Sequence, residues 1–175
     1  MATTTTTTII DEKENFFDRK LDLATAGLQP YYSRVLQQDL PNRCALVIID
    51  YLLAMKTEKN LSLNFRAVII KILNKLSVFC HFKAWETITR EDILAFLDSL
   101  RKTDAADPLH KWIGTYNLYR NVFVTFFKWL YYSDIEAKRR PIPVCIENIP
   151  RLKRKETSIY KPSAAAINTT QEFTL

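Results

Sequence analysis

From Asn42 onward, apolar side chains recur every three or four positions, the period of a helix that buries one face. Ala45, Ile48, Ile49, Leu52 and Met55 predict a first helix over about Arg43–Lys56, with Asn42 as its cap after Pro41. Phe65, Ile69, Ile72, Leu73, Leu76 and Phe79 predict a second over about Leu63–Phe79, capped by Ser62, whose opposite face carries Asn64, Lys71, Asn74 and Lys75. Thr89 and Asp92 stand at the spacing of a capping box and open a third, about Arg90–Arg101, that buries Ile93, Leu94, Phe96, Leu97 and Leu100. The fourth begins between Pro108 and Thr115 and ends near Tyr132. Its stripe is Tyr119, Val122, Phe123, Phe126, Phe127 and Leu130; Asn117, Arg120, Asn121 and Lys128 lie opposite. The helical spacing makes these aromatics core fillers, and Trp85, Trp112 and Trp129 read the same way.

Outside this stretch the pattern fails. Residues 1–14 are polar and Thr-rich and are expected to be disordered. Residues 15–40 hold Phe16, Phe17, Leu21, Leu23, Tyr31, Tyr32 and Leu36 without a clean period, so 1–40 reads as a disordered or partly helical N-terminal segment. The four helices form a domain over 41–134. Beyond it Pro141, Pro143, Pro150 and Pro162 forbid a long helix and favour extended chain, so 135–163 reads as a linker and 164–175 as a separate tail.

Composition removes whole classes of function. The chain of 175 residues has only two glycines, Gly27 and Gly114, too few for a phosphate-binding loop or a dinucleotide fingerprint. Gly114 costs about 1 kcal/mol within a helix, so it marks a break or a close approach to the backbone. No apolar run reaches transmembrane length, and the N-terminus lacks the basic and apolar parts of a secretory signal. Cys44, Cys80 and Cys145 are dispersed and odd in number, which suits reduced thiols. His81 and His110 stand alone, so no metal and no other cofactor is expected.

Charge changes the picture more. The net charge is +6, and residues 111–162 alone hold eleven bases against four acids. Lys138, Arg139, Arg140, Arg151, Lys153, Arg154, Lys155 and Lys161 make a local basic strip, which suits a polyanion partner.

Three stretches carry a resemblance: TREDILAFLDSL (Thr89 to Leu100), HKWIGTYNLYRNVFVTFFKWLYY (His110 to Tyr132) and NIPRLKRKETSIYKPS (Asn148 to Ser163). In order and spacing they resemble the N-terminal core-binding domain of tyrosine recombinases, the SAM-like domain of phage integrases, and look closest to the archaeal Xer-like branch. The resemblance spans about residues 42–163. It implies an all-α fold, an orthogonal four-helix bundle forming half of a clamp on double-stranded DNA. It also implies a role in DNA integration and site-specific recombination. The family's catalytic domain would begin after Ser163, where the tail SAAAINTTQEFTL departs from the pattern. The expected protein is therefore a truncated DNA binder, not an enzyme on its own. It would be cytoplasmic and nucleoid-associated, with other integrase protomers or a separate catalytic half as further partners and no membrane.

On that fold, Lys71 and Lys75 on the second helix are candidate phosphate ligands. So are Lys111 and Thr115 near the start of the fourth helix, Asn117, Arg120 and Asn121 along it, and Arg151, Lys153, Arg154 and Lys155 beyond it. Lys128 reads as a stem covering apolar surface. The alternative is a helical protein-interaction module whose basic strip is incidental.

Overall fold

A computed structural model of the protein describes residues 16–153. These residues are all helix, turn and irregular chain, with no strand among them. The expected disorder of 1–14, the tail 164–175, and Arg154, Lys155 and Lys161 lie outside the described residues.

The described part of the first helix, α1, covers residues 16–25. It buries Phe17, Leu21 and Ala24, which stand at helical spacing, and leaves Phe16 and Leu23 exposed. Gly27 turns the chain at φ +79, a conformation that costs a residue with a Cβ. Helix α2 (Pro30–Arg34) runs straight into a π-helical turn, Val35–Asp39. Tyr32, Val35, Leu36 and Leu40 from this stretch are buried. The buried Arg66 of the later helix reaches back: its guanidinium donates to the carbonyls of Ala24 and Ala26, both at 3.0 Å. Side chains from residues 16–40 thus join the core that the helices beyond 41 build. Three exposed apolar residues, Phe16, Leu23 and Tyr31, had masked the buried stripe, and the π turn broke the period.

Helix α3 (Asn42–Lys59) buries seven side chains, among them Cys44, Ile48, Tyr51 and Met55. Asn60 ends it in the left-handed conformation, a role suited to Asn. Helix α4 (Leu63–Phe79) begins where Ser62 accepts from the backbone N–H of Phe65. It packs against α3 and the π turn on one side and against the two helices that follow on the other. Trp85, in a short 3-10 turn (Trp85–Thr87), is fully buried; its indole N–H donates to the Cys44 carbonyl at 3.0 Å and its ring meets Phe126 edge-on. Trp112 and Trp129 pack only at the core's edge.

Helix α5 (Arg90–Asp98) carries the capping box foreseen at Thr89 and Asp92, with both reciprocal bonds made. It stops three residues before the expected Arg101, where the chain turns. The Asp92 carboxylate also accepts from Lys83 Nζ at 2.9 Å, and that bond with the capping one holds its pKa below the usual carboxylate range. A depressed carboxyl pKa stabilises the fold above its unfolded value, near 3.9, and that stabilisation is lost as pH falls through the lower folded value. Asp92→Asn is therefore expected to flatten the acid limb of a plot of unfolding temperature against pH. An acid limb as steep as in the parent chain would refute this.

Helix α6 (Trp112–Tyr131) sends Tyr116, Tyr119, Phe123, Phe126 and Phe127 into the core. The chain beyond it is not a free linker over its described part. Cys145, Ile146 and Ile149 are buried, and the short 3-10 turn Val144–Ile146 packs on α5 and α6. Arg90 donates to the carbonyls of Glu147 and Asn148 and pins the segment from the α5 side. Arg140, expected among the surface cations, is buried and paired with Glu58, whose oxygens lie at 2.6 and 2.9 Å. A proline-rich stretch cannot bond to itself in a helix, so distant side chains satisfy the carbonyls of Glu147 and Asn148, while Arg140 turns back on the carbonyls that end α6.

Candidate functional site

The cations foreseen as phosphate ligands fall on three neighbouring elements. Lys71 and Lys75 stand one turn apart on α4, both exposed. The Lys71 ammonium lies over the Tyr32 ring, 5.4 Å from its centroid, and a hydrogen bond to Tyr32 holds its pKa above the ordinary lysine value. The Lys75 ammonium donates to the Tyr119 hydroxyl at 3.3 Å. That bond fixes Lys75 beside α6. Between the two lysines a groove of about 270 Å³ opens, lined by Tyr31, Tyr32, Val35, Ile70 and Asn74.

The outer face of α6 comes next. Lys111, Gly114, Thr115, Leu118 and Asn121 recur at helical spacing and are exposed. Gly114 falls in the first turn, where an exposed backbone without a Cβ admits close approach and the helical penalty is small. The helix start is less open to an anion than the sequence implies. Asp107 already accepts from the Trp112 N–H at 2.9 Å, and this backbone bond holds its pKa below the usual range. A phosphate at that end would meet a carboxylate; Lys111 and Thr115 themselves stand on the exposed side of the helix.

The far flank of α6 ties two of the candidates to the protein's own backbone. Asn117 gives its amide N–H to the Leu152 carbonyl at 2.8 Å and accepts from the Leu152 N–H at 3.1 Å. Arg120 donates through Nε to the Ile149 carbonyl at 2.8 Å and through Nη1 to Asn121. Both hold the exit segment, Asn117 through both ends of its amide and Arg120 through Nε. The physical reason is that Ile149 and Leu152 bring backbone groups against α6 that need partners away from water. What Asn117 and Arg120 supply is position: they set Arg151 and Lys153, both exposed, beside the α6 face.

Sequence reasoning missed Tyr31 and Tyr32 as residues that matter here. The paired tyrosines after Pro30 were a readable signal, but only the fold brings them to α4. Burial pushes the Cys80 and Cys145 thiols up to about 11, away from the nucleophilic thiolate form, and Cys44 is buried too. Among the described residues no group of three His, Cys, Asp or Glu side chains could hold a metal, and no helix is long and apolar enough to cross a membrane. Comparisons with protein-family models, with curated proteins and with solved structures find no match.

Proposed function

We propose that this chain is a duplex-DNA-binding unit of the kind that tyrosine recombinases place ahead of their catalytic domain, a SAM-like core-binding bundle with no chemistry of its own. One observation carries the reading. An exposed band runs from Lys71 and Lys75 on α4, over Lys111, Thr115 and Asn121 on α6, to Arg151 and Lys153 on the docked exit segment. Its two edges are held to α6 by the Lys75–Tyr119 and Asn117–Leu152 bonds. The two cation groups lie on either side of the exposed face of α6, an arrangement that suits phosphates on both edges of a groove. Phosphates would be gripped at both edges while Thr115 and Asn121 meet the groove between them. The family resemblance of three stretches, and the all-α fold, point the same way. Such a unit acts on chromosomal DNA, with integrase protomers or a separate catalytic half as its partners.

The measurement that tests this is fluorescence anisotropy of a labelled duplex across a salt series. The expected slope of log affinity against log salt is about −4 to −6, which corresponds to about five to seven neutralised phosphates. Absence of binding at low salt would overturn the proposal. Charge reversal of Arg151 and Lys153 together is expected to weaken binding and make the slope shallower. Unchanged affinity would remove the exit segment from the interface. One feature favours a protein-interaction module instead: Ile142 and Val144 are 56% and 79% exposed. Absence of DNA binding even at low salt would turn attention to that patch.

A further inference from the structure

The groove between α2, the π turn and α4 is built for more than a phosphate. Tyr31, at its rim, is 52% exposed, a large aromatic face left to solvent. Tyr32 meets it edge-on at 5.3 Å, which braces the Tyr31 ring without covering it. The floor is apolar, from Val35 and Ile70. Two ammonium groups, Lys71 and Lys75, close one side. Asn74 lines the same groove, half-buried, and its amide oxygen is buried with no hydrogen-bond partner among the described residues. A half-turn of that amide would present this acceptor to the groove, where an N–H could meet it. π turns of the kind that shapes this wall, Val35–Asp39, concentrate at functional sites.

An aromatic face, an amide with an unused acceptor and two cations are three different recognition elements. Together they fit a planar ring that bears N–H groups and is joined to a phosphate. We propose that this groove binds a nucleotide with an unpaired base: the base stacks on Tyr31, its edge meets the Asn74 amide, and its phosphate lies between Lys71 and Lys75. The inference deepens the DNA-binding reading, since the same two lysines belong to the proposed interface. A paired base cannot enter, because its edge and both faces are occupied in the duplex. The ligand chemistry is shared by a free nucleoside monophosphate and by an unpaired nucleotide in a DNA strand.

The experiment has two arms, both with the full chain. In the first, anisotropy compares a blunt duplex with the same duplex carrying one unpaired adenosine nucleotide. The extra nucleotide is expected to tighten binding about five- to tenfold, the low end of what one stacked base contributes. Tyr31→Ala and Asn74→Leu should each erase that difference, and Tyr31→Phe, which keeps the ring, should retain it. Unfolding temperatures of the variants check that the fold is intact. In the second arm, dAMP is titrated alone and followed by NMR shifts of the chain. Saturable shifts at Tyr31 and Asn74 support the groove as a nucleotide site whatever the source. A DNA preference without such shifts assigns it to nucleotides held in a strand. Equal affinity for both duplexes together with no dAMP shifts overturns the inference, while the blunt duplex still tests the DNA-binding reading by itself. Binding of dAMP without binding of any duplex would sink the DNA-binding reading and leave the groove assigned.

Discussion

Arg140→Met is expected to destabilise the protein by about 3 kcal/mol, the low end for breaking a buried ion pair. For a chain of this size that corresponds to a fall of about 6–12 °C in unfolding temperature. The low end applies because the Glu58 side chain is 26% exposed, so water relieves part of the charge left behind. The Arg140 side chain is only 5% exposed, and nearly all its donors are used. Nε donates to the carbonyls of Tyr132 and Ile135, Nη2 to that of Ser133, and both terminal nitrogens to Glu58. One guanidinium therefore closes the C-terminal end of α6, offsets a carboxylate near the C-terminal end of α3, and starts the docked exit segment. Lysine has a single ammonium and cannot make the fork, so Arg140→Lys should recover little. The double variant with Glu58→Met should recover much of the loss, because it leaves no unpaired charge. Thermal unfolding of the three variants decides the matter; a loss below about 1 kcal/mol in Arg140→Met would show the pair to be incidental.

That cluster also shows where the sequence stops being readable. Helices α4 and α6 follow from their own residues: an apolar stripe, a cap at Ser62, a stop where the aromatic run ends. The Thr89–Asp92 box is legible because both halves of it are local. Arg140 is not, since its environment depends on Glu58, 82 positions away, and in the chain it looks like one more cation in a basic run. The same holds for Asn117 and Arg120. Polar residues on the outer side of a helix read as solvent-facing or ligand-facing until Ile149 and Leu152 arrive to occupy them. The π turn hides a buried stripe. An extra residue in the turn shifts the phase between Tyr32 and Leu40, so a strict helical template finds no stripe where the fold has one. Contacts within four residues are written in the pattern; carbonyls seeking distant donors are not.

The sharpest functional consequence is a separation between two groups of polar side chains on adjoining faces. Lys71→Ala combined with Lys75→Ala is expected to weaken duplex binding about 60-fold at 0.1 M salt. Each phosphate contact contributes a salt slope of about −0.9, hence about 0.9 decade of affinity between 0.1 M and 1 M, and two contacts contribute about 1.8 decades. The slope itself should become shallower by about 1.8. Stability should hardly move, because both lysines are exposed and their removal falls within about 0.5 kcal/mol. Asn117→Ala should do the opposite. It leaves the Leu152 backbone without its two partners and costs about 1–3 kcal/mol. It should shift the salt slope only so far as Arg151 and Lys153 lose their place. Anisotropy and thermal unfolding on the same preparations read both axes at once. If the lysine pair changes affinity by less than about twofold, α4 presents a merely solvated face and the interface cannot include it. If instead the pair and Asn117 move affinity and stability together, the band is one structural unit, and what binds DNA is the folded bundle rather than these particular charges.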